Sequence, residues 1–195
     1  LPDGVSAKTI LANYIYAIGG LVSLNAIQTL EVSYNANFMG NALEATSINT
    51  ADEQKQIIKM GGNVLATVIV NASGAKVEQM GNNMDLPPEM AADMQAAIGI
   101  VPELKMIENE NVTVTGTEEV DGQNAYALEM KGQSTTTTTY YAVESGLKLK
   151  QTTVTEMMGQ TQTQETTYGN YKSFGSLLIP TTTTVPLGCL LYTSP

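Results

Sequence analysis

Residues 30–38 read Leu-Glu-Val-Ser-Tyr-Asn-Ala-Asn-Phe. Leu30, Val32, Tyr34, Ala36 and Phe38 alternate with Glu31, Ser33, Asn35 and Asn37. A period of two predicts a strand with one apolar face and one wet face, the pattern of an antiparallel sheet packed on one side only.

Upstream the period is different. Ile10, Leu11, Tyr14, Ile15 and Ile18 recur at helical spacing, so residues 6–18 are expected to form a helix. Ser6 is placed to cap it and Gly19-Gly20 to stop it, with a short further turn over 21–26. Downstream the chain reads as strands. Gly40-Asn41 is expected to turn the first one. Strands are expected over 42–50 and 54–60, then over 64–70, apolar on both faces and therefore central, and over 75–80. Gly61-Gly62-Asn63 and Asn71 to Gly74 mark turns between them. Residues 81–111 break the pattern. Asp85-Leu86-Pro87-Pro88-Glu89 opens a helix, because proline suits a first turn and an acid suits its dipole. Met90, Met94, Ala97 and Ile98 follow as a stripe ended by Gly99, and 100–104 reads as a loop or short turn. The second half is a meander: a strand to Val120 closed by Asp121-Gly122, then strands over 124–130, 135–143, 147–158 and 161–168. The threonine runs 135–139 and 181–184 belong to strands, since a β-branched side chain suits a sheet face.

The expected fold is α+β and mostly β: a curved antiparallel half-barrel sheet with an N-terminal helix and a mid-chain helical insertion on its concave face. The length of 195 residues fits one domain or two small ones, and such a chain can bury a core without disulfides or metals.

Composition removes whole classes of function. The chain has no His and no Arg, and its nine Lys face nineteen acids for a net charge of −10. Phosphate-binding surfaces need clustered cations, and here the lysines are scattered and outnumbered, so DNA, RNA and anionic membrane surfaces are expected to be poor partners. Without His there is no Ser-His-Asp or Cys-His relay and no ordinary zinc site. No Gly-rich phosphate loop is present. The expectation is a non-catalytic chain with no cofactor and no metal. Cys189 stands alone, without neighbours that would activate it. The acid groups Glu118-Glu119 with Asp121, and Asp52-Glu53, read as solvated strand ends rather than as acid pairs. Asn71-Ala72-Ser73 and Asn111-Val112-Thr113 match the glycosylation sequon, a short and weakly specific motif. No apolar run approaches the ~20 residues that span a bilayer, and the chain is expected to be soluble.

Two sets of side chains point to binding. One is Met60, Met80, Met84, Met90, Met94 and Met106, flexible thioethers that line adaptable apolar surfaces when they gather in one place. The other is Tyr126, Tyr140, Tyr141, Tyr168 and Tyr171, which read first as cross-strand pairs.

Four stretches, in this order and spacing, resemble a known family: YIYAIGG (14–20), VPEL (101–104), YYAVESGLKLK (140–150) and YGNYKSFGSLLIP (168–180). Together they are similar to the LolA/LolB-type lipoprotein carrier superfamily of Gram-negative bacteria. The nearest subset is the domain found C-terminal to insulinase-type zinc peptidases. The resemblance runs over residues 1–187. It implies a half-barrel, an exported location in the periplasm or cell envelope, and an apolar groove for acyl chains of lipids or lipoproteins. On this chain the groove is expected at Val32, Tyr34, Phe38, Met60, Val68, Met80, Met90, Met94 and Ile98. The alternative it implies is an accessory domain docking a peptidase domain of the same native chain. The carriers latch their helices with an Arg, and this chain has none. The peptidases' H-x-x-E-H motif is likewise impossible without His. Residues 188–195, GCLLYTSP, fit nothing before them; they resemble translated adapter sequence and are expected to be foreign to the domain.

Overall fold

A computed structural model describes residues 4–38, 41–157 and 159–185. The tail at 188–195 with Cys189, and Gly40 of the first turn, lie outside them. The described chain holds twelve strands and four short helices. They arrange as two six-stranded antiparallel sheets rather than one, and in each sheet every strand pairs with its neighbour in sequence. Two compact units result. The mid-chain unit runs from Asn25 to Lys105, and the flanking unit joins the residues up to Leu24 to those from Met106 onward.

The mid-chain unit carries β1 (Leu30–Phe38), β2 (Asn41–Asn49), β3 (Glu53–Met60), β4 (Asn63–Asn71), β5 (Gly74–Gln79) and β6 (Asn82–Asp85). The alternating stretch is thus the edge strand β1, and the strand apolar on both faces is the inner strand β4, between β3 and β5. β6 corrects the reading of 81–111 as non-β. Its hairpin turns on Met80 and Gly81, both at positive φ (50° and 81°). A two-residue turn of that kind usually carries Asn or Asp at its first position, so a methionine there hides the hairpin. Helix α3 (Pro88–Ala96) begins with its proline in the first turn, as expected. It ends before Gly99, and Ile98 lies beyond it. Residues 103–106, partly expected as loop or turn, are the short helix α4 (Glu103–Met106). The core of this unit joins Val70 and Ala75 of the sheet to Ala91 and Ile98, with Val68, Leu86 and Met94 packed against them.

The flanking unit carries α1 (Ala7–Ala17), most of α2 (Gly20–Asn25) and the meander of β7 (Val112–Val120), β8 (Gln123–Lys131), β9 (Thr135–Ala142), β10 (Lys148–Met157), β11 (Gln160–Phe174) and β12 (Leu177–Thr184). The Ser6 hydroxyl accepts the Thr9 N–H at 3.2 Å, the cap the sequence called for. Ile10, Leu11, Tyr14, Ile15 and Ile18 are buried. Tyr14 stacks obliquely on Tyr141 of β9, ring centroids 5.2 Å apart. β11 runs to Phe174, well past the expected end at 168, because Asn170 takes a positive φ of 51° without breaking the pairing. Each sheet therefore has its own longer helix, α3 on one and α1 on the other.

Candidate functional site

Register places the side chains of the first sheet on two faces. One row runs across all six strands as Val32, Ser47, Gln56, Val68, Val77 and Met84. The next runs Tyr34, Ala45, Ile58, Ala66, Gln79 and Asn82, and Leu43 stands opposite Met60 beside it. Alternation puts every charged residue of these strands on the other face: Glu31, Glu44, Glu53, Lys55, Lys59, Lys76, Glu78 and Asp85. The first face is free of charge.

α3 and the residues after it cover part of that face, over Val68, Val70 and Ala75 of β4 and β5. The lower rows of β1–β4 lie outside this cluster. There Leu43, Ala45, Ile58, Met60 and Ala66 are half-buried, and Tyr34 is 44% exposed. The Tyr34 hydroxyl accepts a hydrogen bond from the Gln56 amide at 2.9 Å. Ser47 and Asn49 bond to each other nearby, 3.1 Å between Asn49 Nδ2 and Ser47 Oγ. These four polar groups thus engage in pairs, which lowers the cost of placing them beside an apolar surface.

The nine residues expected to line a groove divide accordingly. Val32, Tyr34, Met60 and Val68 share the charge-free face. Val68, Met94 and Ile98 meet in the packed core. Met90 is half-buried on α3. Met80 stands apart at the β5–β6 turn, 82% exposed. Phe38 belongs to β1 by its backbone, and its side chain lies outside the described residues. Of the other methionines, Met84 shares the face at its β6 edge and Met106 closes α4. Leu43, Ala45, Ile58 and Ala66 were not among the expected residues. The signal for Leu43 and Ala45 is a faint alternation in 41–49, masked there by Ala42, Thr46 and Ile48 on the opposite face.

Other motifs resolve locally. Glu118 and Glu119 are consecutive strand residues, so they point to opposite faces, and Asp121 sits in the β7–β8 turn. Among the described residues no cluster of acids or thiols is arranged to hold a metal ion. Asn71 of the first sequon uses its side chain: Oδ1 accepts the Ser73 N–H at 2.9 Å and Nδ2 donates to Glu53 at 3.3 Å. The tyrosines do pair across strands, Tyr126 opposite Tyr141. They also bracket lysines. Lys148 stands 5.3 Å from the ring centroids of both Tyr14 and Tyr168, and Lys150 stands 4.8 Å from that of Tyr140. Burial, and then the Glu118 carboxylate, hold the Tyr140 phenol above its ordinary value. A concavity lies in the flanking unit, an open cleft of about 280 Å³ between α1 (Ile10, Asn13, Tyr16) and the β9–β10 turn (Val143 to Gly146). It joins residues more than a hundred positions apart, and no short-range pattern announces it.

No protein-family model matches the chain, and no curated protein matches it. Solved structures do. A LolA superfamily protein from Nitrosomonas europaea superposes with a TM-score of 0.57 at 12% identity, over 93% of this chain and 86% of that one. This chain has a LolA-like fold. A DUF1329 family protein from Desulfovibrio piger superposes on it at a TM-score of 0.54 and 12% identity, over 92% and 85% of the two chains. The LolA-like fold accounts for the order of elements, a helix ahead of antiparallel strands with a helical insertion midway. At such identity it carries no residue roles across. Among the described residues no helix is long and apolar enough to cross a membrane.

Proposed function

We propose that this chain is a non-catalytic binding module of the periplasm or cell envelope, and that the charge-free face of β1–β6 holds acyl chains of lipids or lipoproteins. The observation that carries the reading is the segregation of charge: the charged side chains of these strands stand on one face of the sheet and none on the other. Burying an ion costs several kcal/mol, so a surface meant for hydrocarbon excludes ions throughout. Leu43, Ile58 and Met60 give it aliphatic and thioether surface that adapts to a flexible chain. The LolA-like fold adds support, because the family resemblance implies an apolar groove of this kind.

Native mass spectrometry of protein purified from a bacterial envelope fraction tests the reading. Co-purified acyl species, released on denaturation, are expected. Ile58→Asp or Met60→Glu is expected to lower their occupancy at least tenfold, since each puts a charge on the face. A clean apo mass, with no uptake after lipid is added, would reject the acyl-chain reading in favour of a ligand-free docking domain.

A further inference from the structure

A second surface lies in the flanking unit. α1 ends at Ile18 against the β11–β12 hairpin: the Leu178 N–H donates to the Ile18 carbonyl at 3.0 Å. Gly19 follows at φ 136°, so close that a Cβ there would stand 2.5 Å from the Ser176 carbonyl oxygen. Around this junction stand large apolar side chains in contact with water: Val22 (88% exposed), Tyr16 (84%), Phe174 (56%) and Leu21 (55%). Single exposed apolar residues are ordinary. Four on two segments pinned together are a patch.

The charge around the patch is as telling. The chain carries nineteen acids, yet none lies between Gly4 and Leu24 or between Thr166 and Val185, the two segments that build this corner. Their charged residues are Lys8 and Lys172. Lys8, at the far end of α1, is paired with Glu108 at 2.8 Å, which leaves Lys172, next to Ser173 and Phe174, as the charge of the corner. Glu144, which shares the cleft beside Tyr16, marks its acidic border.

We infer that this corner is a docking surface for a lipid bilayer, with Val22, Leu21 and Phe174 entering the interface and Tyr16 at headgroup level. An anionic bilayer repels a chain of net charge −10. Contact is eased where acids are absent, since charges beyond about 8 Å are screened at physiological salt. The two segments that build this corner carry no acid of their own, Glu144 standing at the border beside Tyr16, and their aliphatic and aromatic side chains match those that anchor peripheral proteins at the headgroup boundary. The inference does not depend on the acyl-binding face, because a protein can dock on a bilayer whether or not it holds a lipid.

The test uses the full chain and large unilamellar vesicles of phosphatidylcholine and phosphatidylglycerol, 3:1. The chain lacks tryptophan, so Val22→Trp introduces a single fluorescent reporter. Its emission is expected to shift to the blue on adding vesicles and to be quenched by bilayer-embedded quenchers. In co-sedimentation, the double variant Val22→Asp, Phe174→Asp is expected to lose at least tenfold in partitioning. Val64→Asp, at an exposed position of the other unit (54%), is expected to partition as wild type. Acyl occupancy by denaturing mass spectrometry is expected to be unchanged in the double variant, which separates this inference from the acyl-binding one. An unshifted emission from the Val22→Trp variant, or a double variant that sediments like wild type, overturns it. So does a dimer in analytical ultracentrifugation that Val22→Asp dissolves, since the patch would then be a contact between copies. If the double variant fails to fold by circular dichroism, the emission of the Val22→Trp variant alone decides.

Discussion

Gly19 shows how one position can hold two elements in place. Its positive φ is one that side chains rarely adopt, and its α-carbon lies against the Ser176 backbone. Gly19→Ala is expected to destabilise the chain by about 2 kcal/mol or more, from strain and a backbone clash together. A lowered urea midpoint at unchanged slope is the measurement. Tyr140 offers a test in pH. Its phenol is held above the ordinary value of 10.0 in the fold, first by burial and then by Glu118. A raised folded-state value means stability that is fully present below pH 10 and is lost as pH rises from there through the folded value. Tyr140→Phe is therefore expected to flatten the fall in stability above about pH 10, followed by denaturant melts at successive pH values. The Lys8–Glu108 pair, both partners mostly exposed, is expected to matter little: Lys8→Ala should stay within ~1 kcal/mol of wild type.

Among elements, α1 is held by its cap and its buried stripe. Ser6→Ala is expected to cost ~1 kcal/mol in thermal or urea unfolding. That helix was legible because its five apolar residues sit at strict helical spacing and Ser6 and Gly19 bracket it. β1 was legible for the same reason with a period of two. The failures have physical causes. β6 escaped because Met80 occupies a left-handed position that sequence patterns assign to Gly or Asn. The end of β11 escaped because Gly169-Asn170 reads as a break while the pairing continues through it. The candidate face was half legible. Val32 and Tyr34 follow from alternation within one strand. Leu43, Ile58 and Ala66 join them only through register across three strands, which local spacing does not encode. Methionine counting does not distinguish Met80, which stands 82% exposed at the β5–β6 turn, from the methionines on the sheet face.

At the scale of the whole molecule the two units differ in how deeply they are packed. The largest fully buried side chains are Tyr141, Leu11, Leu24, Leu128 and Val70, and of these only Val70 lies in the unit from Asn25 to Lys105. Opening free energy follows buried apolar contact. Hydrogen exchange is expected to be faster across 25–105 than across β8 and β9, with the β4–β5 pair the best protected part of the mid-chain unit. Uniform protection in both would contradict this. The less deeply packed sheet is the one with the charge-free face; under the proposed function, an element that opens readily suits the entry of a flexible acyl chain.

The neighbour-to-neighbour order of the strands also sets a timetable. Every pairing in β1–β6 closes a short hairpin, so the mid-chain sheet can zip as soon as it leaves the ribosome, with little loop entropy to overcome. α1 is made earlier still, yet its partner Tyr141 follows Tyr14 by more than a hundred residues. That helix must wait, its apolar stripe uncovered, until the later strands arrive. The mid-chain unit is complete in the chain before β7 is made, whereas the flanking unit has to join segments that a whole unit separates in sequence.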